Sequence, residues 1–298
     1  LHNEKGFDKF NEKIMRNNMD KHISLEDTEL KYLTIEEAKK ATGLRLVLGE
    51  YPIPGPWREA CKGIFYVKGI PYQSVRTSNE NSSDLLIGAD NSQSELIDWT
   101  AQPSHPVAIW NDERPRSLWY DQIYLAERLS NQCQLIPNNI DERMLMFGTI
   151  NELAGENGLA WSQRLLMVDA PLKNLPENDE SRPFWNLLGS KYGYSEDNAD
   201  KARLRIISIL KKIDTLLTTN QTSKNKYFLA SGFSALDIYS ACFIGLLKPM
   251  PPEKCPMATD FRPAYSSPHT DINEAISKRI LEHRDFIYEK YLELPIVF

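Results

Sequence analysis

The chain has no stretch of about 18 consecutive apolar residues, which excludes a helical membrane span, and its first twenty residues are too polar and charged to read as a secretory signal. Long Lys/Arg runs are also missing, and the net charge is −6. That balance opposes a sequence-independent electrostatic grip on nucleic acid or on an anionic membrane surface. Cysteine is sparse: Cys61, Cys133, Cys242 and Cys255 stand far apart, without a C-x-x-C pair or a histidine at zinc-ligand spacing. Neither a structural metal nor a disulfide framework is expected, and a reducing, cytoplasmic setting is the simpler reading. Two glycosylation triplets, Asn81-Ser82-Ser83 and Asn220-Gln221-Thr222, are of a kind that recurs by chance and carry little weight.

What is present suffices for a folded protein: 298 residues with 41% hydrophobic content can bury a substantial core and divide into two domains. Residues 1–33 are charged, rich in Asn and Lys and weakly periodic, so they read as an extension, with the core starting at 44. Thr34, followed by Glu36 and Glu37, can cap a short helix through about Ala41, stopped by Gly43. Leu44-Arg45-Leu46-Val47-Leu48 alternates as a strand, Pro56 opens a helix that Gly69 closes, and 70–76 reads as a second strand, giving a β-α-β unit. A proline-led strand at 105–110, a polar turn and a helix over 118–129 follow. Beyond 140 helices dominate, at 141–155, 202–217 and 234–247. Ile206, Ile209, Leu210, Ile213 and Leu217 form a core stripe in the second of these. The segment 171–198, rich in Pro, Asn, Glu and Ser, reads as a long surface excursion, and 249–268 as irregular. Ile272, Ile276, Ile280, Ile287 and Tyr291 mark one final amphipathic helix, with His283 on its apolar stripe as a buried, hydrogen-bonded histidine.

The most specific local signal is Gly232-Phe233-Ser234-Ala235-Leu236-Asp237, a hydroxyl-x-x-carboxylate pattern that opens a buried helix as a capping box. In its frame, Tyr227-Phe228-Leu229-Ala230-Ser231-Gly232 onward, it resembles the helical-domain capping segment of glutathione transferases. Lys68-Gly69-Ile70-Pro71-Tyr72, the proline-led strand and Tyr124-Leu125-Ala126-Glu127-Arg128-Leu129 match the same family in order, so the resemblance covers roughly 44–248. It implies a thioredoxin-like α/β domain over 44–130 after an N-terminal extension at 1–43, and an all-helical domain with a C-terminal tail over 140–298. It further implies glutathione as co-substrate, a small apolar electrophile as the second substrate, and a homodimer. Fold does not fix function, so a non-catalytic protein binding a ligand or partner on this fold stands as the alternative, beside other glutathione chemistry such as peroxide reduction or lyase activity.

The resemblance also points to residues. Gly55 stands where relatives place a Ser or Cys, so activation of a thiolate falls to the backbone N–H groups of Trp57 and Arg58 at the helix start and to the Tyr51 hydroxyl as the catalytic candidate. Pro106 matches the family's cis-proline, and His105 before it supplies the backbone that pairs with glutathione. Ser117-Leu118 replaces the usual acidic residue and serine that hold the γ-glutamyl carboxylate, with Ser117 still able to cap the helix and Arg58, Arg114 and Arg116 available to pair with carboxylates. Trp161, Arg164 and Phe243, together with Met167, Phe261 and Tyr265, are expected to wall an apolar substrate pocket, and Cys61 reads as an inert core thiol.

Overall fold

The computed structural model describes residues 32–48, 55–77, 93–220, 225–257, 262–263 and 265–296. The expectations for 1–31, Tyr51, Phe261, the triplet at 81–83 and the latter part of the triplet at 220–222 lie outside the described residues.

A short helix α1 (Ile35–Lys40) leads in, with Thr34 and Glu37 forming a capping box. It is followed by β1 (Leu44–Val47), α2 (Pro56–Val67), β2 (Tyr72–Val75), α3 (Ser94–Thr100), β3 (Val107–Trp110) and α4 (Trp119–Leu129). Among the described residues the sheet has the order β2-β1-β3. β1 runs parallel to β2, with Leu44 opposite Tyr72, and antiparallel to β3, with Val47 opposite Val107. All four side chains of β1 are buried, because α2 and α4 cover one face and α1 and α3 the other. Isolated bridges continue the sheet on both sides, Leu33 to Val75 and Ala108 to Arg116.

The rest is helical: α5 (Ile140–Ala154), α6 (Leu159–Asn174), α7 (Arg182–Tyr192), α8 (Glu196–Asn220), α9 (Ala235–Ile244), α10 (Thr270–Ala275) and α11 (Lys278–Tyr291). Every expected stripe residue of α8 is buried. α9 is buried over all ten residues and forms the central post. α2 lies directly on it. A Cβ at Gly63 would stand 3.0 Å from Leu292 Cδ2 and 3.1 Å from Ile238 Cγ2, so the absent side chain lets the two helices approach. Trp57 adds a directed link, donating from Nε1 to the Ala154 carbonyl at 2.9 Å while its ring meets Phe243 edge-on at 5.3 Å.

The capping box at α9 forms as the sequence implies. Asp237 Oδ2 accepts from the Ser234 N–H at 2.9 Å, and its Oδ1 accepts from the Phe228 N–H at 3.2 Å and meets His283 Nε2 at 3.0 Å. Both Asp237 and His283 are buried.

Two expectations are corrected, and one helix has no counterpart in the sequence reading. The segment 171–198 is not an excursion: α6 runs on to Asn174, α7 occupies its middle and α8 begins at Glu196. Pro183 sits in the first turn of α7, where its missing N–H costs nothing, and Gly193 ends it at φ 67°, so residues that read as loop punctuation are helix boundaries here. The last helix is two, because Ser277 interrupts it and caps α11, its Oγ accepting from the Ile280 N–H at 3.2 Å. α3, which carries weak periodicity, was not anticipated at all; it buries Leu96 against the outer face of the sheet.

Candidate functional site

The site grows from the end of β1. Gly55 is the N-cap of α2, at φ −101° and ψ 120°, and offers no side chain to cap the helix. The space a side chain would fill belongs to Arg58: a Cβ on Gly55 would lie 2.7 Å from its Nε. Arg58 is buried and donates from Nη1 to the Leu48 carbonyl at 3.1 Å, which anchors its positive charge over the end of β1. Because Val107 pairs with Val47, the residues just before β3 arrive at the same place, and the His105–Pro106 peptide bond is cis, as the resemblance implies. Burial, followed by the charges of Arg58 and Lys191, holds the His105 imidazole down to about 3, so it is neutral at physiological pH. Trp57 contributes its backbone only, since its indole is committed to Ala154 and Phe243.

The opposite rim differs from the expectation. α4 takes Leu118, not Ser117, as its N-cap, without a side-chain cap. The Ser117 hydroxyl is directed elsewhere, its Oγ donating to Gln102 Oε1 at 2.7 Å. Leu118 itself is exposed. Gln122, buried one turn into α4, reaches from Nε2 to the carbonyls of Pro106 (3.3 Å), Arg116 (3.2 Å) and Ser117 (3.4 Å), and so ties the cis-proline turn to the start of α4. Sequence reading missed this residue, since a single amide within an amphipathic helix leaves no periodic trace. Arg114 and Arg116 pair with Asp121 at 3.2 Å and Glu113 at 2.6 Å, and Glu113 also takes Arg128 at 2.5 Å.

From the helical side, α6 supplies Trp161 and Arg164. Trp161 donates from Nε1 to the Tyr192 carbonyl at 3.0 Å and meets the Tyr192 ring edge-on at 4.9 Å. Arg164 lies 5.9 Å from the Tyr265 ring centre and contacts Met167 Sδ at 3.3 Å. Lys191, near the end of α7, donates to Ser104 Oγ at 2.8 Å, beside the His105–Pro106 turn. Phe243 stands apart from this group: fully buried, its ring is held between Trp57 and Tyr239 in the core. The expected apolar wall is therefore replaced, near the turn, by a surface that carries two cations.

The thiols are quiet. Burial pushes Cys61 and Cys242 well above the usual thiol range, Cys133 up to about 12 and Cys255 up to about 11. Cys61 is a core residue, in keeping with its reading from the sequence. Cys242 and Cys255 line a small cavity with Pro56, Glu59, Met250 and Tyr288, which touches neither Arg58 nor the His105–Pro106 turn. Among the described residues no helix is long and apolar enough to cross a membrane.

No family model and no curated protein matches the chain. Solved structures do. An Omega 3C glutathione transferase from Trametes versicolor superposes with a TM-score of 0.51 at 12% identity, over 87% of this chain and 91% of that one. A β-etherase from Sphingobium sp. strain SYK-6 gives 0.49 at 14% identity over 78% and 98%, and glutaredoxin 2 from Salmonella typhimurium, in complex with glutathione, gives 0.46 at 14% over 85% and 98%. At such identity the likeness is one of fold. The chain has the glutathione transferase fold, a thioredoxin-like α/β part followed by helices.

Proposed function

We propose that this chain is a glutathione-dependent transferase that conjugates or transforms a small electrophile. The observation that carries the reading is the meeting, around Arg58, of the α2 start at Gly55 with the cis His105–Pro106 turn. A helix start favours a negative charge through its dipole and N–H groups, and a fixed guanidinium beside it adds to that preference. In this reading glutathione supplies the sulfur nucleophile. The Trp57 and Arg58 N–H groups hold its thiolate, the His105 backbone aligns the peptide, and Ser117 and Leu118 at the start of α4 receive its γ-glutamyl end. Tyr51 is assigned the hydroxyl that steadies the thiolate, and Trp161 and Arg164 the second substrate, with Phe243 supporting the floor through Trp57. A cytoplasmic homodimer completes the proposal.

A second reading, a non-catalytic binding protein, is favoured by one observation: Gly55 places no hydroxyl or thiol at the helix start. Calorimetry with glutathione, its disulfide and S-hexylglutathione separates the two from a repurposed fold. Binding in the micromolar to low-millimolar range, followed by turnover in an electrophile screen that falls in Tyr51→Phe, supports the transferase. Binding without turnover supports the second reading, and no binding to any of the three overturns both glutathione roles.

A further inference from the structure

Several cations of this fold are matched by carboxylates. Lys68 pairs with Glu127 at 2.8 Å, Lys62 with Glu59 at 3.3 Å and Arg284 with Asp285 at 2.6 Å. Arg164 and Lys191 break that pattern: among the described residues neither forms an ion pair with a carboxylate. Like charges held near one another without an anion disfavour each other, and burial, followed by the positive charge of Arg164, lowers the Lys191 ammonium below its ordinary range. The hydrogen-bond inventory is also incomplete there. Arg164 Nε is enclosed without a hydrogen-bond partner, and so is the hydroxyl of Tyr265, which is 1% exposed. Buried polar groups are nearly always satisfied, so two orphans at one place ask for a ligand. Guanidinium and ammonium are donors only and the phenol can donate as well as accept, so an anion accepting from all three would satisfy them together.

Location narrows the ligand. Arg164 and Lys191 come from α6 and α7, whereas Gly55, Arg58 and Pro106 come from the sheet-bearing half. The Lys191 bond to Ser104 places the two cations beside the cis-proline turn. We propose that Arg164, Lys191 and Tyr265 form an anion subsite, and that the second substrate carries a carboxylate which this subsite binds. The position of that substrate rests on the transferase reading above; binding of the carboxylate itself does not need glutathione.

The test uses two matched pairs of probes on the full chain, S-(5-carboxypentyl)glutathione against S-hexylglutathione and benzoate against benzamide, titrated by calorimetry. The expected result is a preference of about tenfold or more for each carboxylate, collapsing toward unity in Arg164→Met and, separately, in the exposed-site variant Lys191→Met. Melting curves of both variants establish that they fold. Equal affinity for the two glutathione conjugates overturns the subsite while leaving glutathione binding intact. A benzoate preference that depends on Arg164, with no affinity for either conjugate, upholds the subsite and sinks the glutathione reading instead. No preference in either pair, or one that survives both substitutions, overturns the proposal.

Discussion

Two helix starts in this molecule solve one problem in opposite ways. At α9 every available group is engaged: Asp237 takes the Ser234 and Phe228 N–H groups and the His283 ring, all away from water. At α2 the N-cap is Gly55, which has no side chain to engage, and the nearest polar group is a guanidinium anchored on Leu48. Both helices pack on each other, so the contrast is not one of burial against exposure. The α9 start is closed by the protein for its own stability. At α2 the arrangement leaves a positive end with a cation beside it, as a ligand requires. Stability and binding should therefore respond to different residues.

The largest expected effect is at the closed end. Asp237→Ala strands two backbone donors and a histidine in the interior, and should cost about 3–5 kcal/mol, read by urea unfolding. A loss below about 1 kcal/mol would mean that the network is not what holds α9. Trp57→Phe keeps the edge-on contact with Phe243 but removes the bond to Ala154, for a loss of ~1 kcal/mol; an unchanged unfolding midpoint would remove that bond from the forces joining the two halves. At the open end the first effect is one of pH. His105 is depressed to about 3, so the unfolded chain takes up a proton near the ordinary histidine value of about 6.5 while the folded chain does not. Its contribution is full above about pH 6.5 and is lost as the pH falls toward 3. Melting temperature should thus decline less steeply between pH 6.5 and 5 in His105→Asn, and parallel curves would show that the imidazole is not held neutral. Smallest in stability is Gly55→Ser. The new hydroxyl is a favoured cap, worth a few tenths of a kcal/mol relative to glycine, but its Cβ must displace Arg58. Little change in melting with a clear change in glutathione affinity would sharpen the contrast between the two ends; a large stability change with unaltered affinity would erase it.

Much of this was legible in the residues because several signals coincide. In the first half, alternation in 44–48, Pro56 at a helix start, Gly69 at its end and a proline before 107 each mark a boundary, and the elements follow at nearly those positions. Ser234 and Asp237 declare their pairing by spacing alone. The candidate site was less legible, because its defining contacts join residues with no sequence relation. Nothing in the chain announces that the Ser117 hydroxyl donates to Gln102, or that Gln122 binds the turn before β3. Lys191 was hidden for a related reason. Pro, Asn and Ser around α7 mimic loop composition, so the helix that brings this ammonium to Ser104 went unread.

The sheet has a further consequence. Its strands are only four residues long, and both flanks are already occupied by single residues: Leu33 bonds to Ser74 and Arg76 beside β2, while Arg116 exchanges two bonds with Ala108 beside β3. Each flank thus ends in one bridge and, on the β3 side, a charged side chain, the devices by which natural proteins blunt a growing edge. Among the described residues no long unpaired ladder remains beside β2 or β3 to template strand addition.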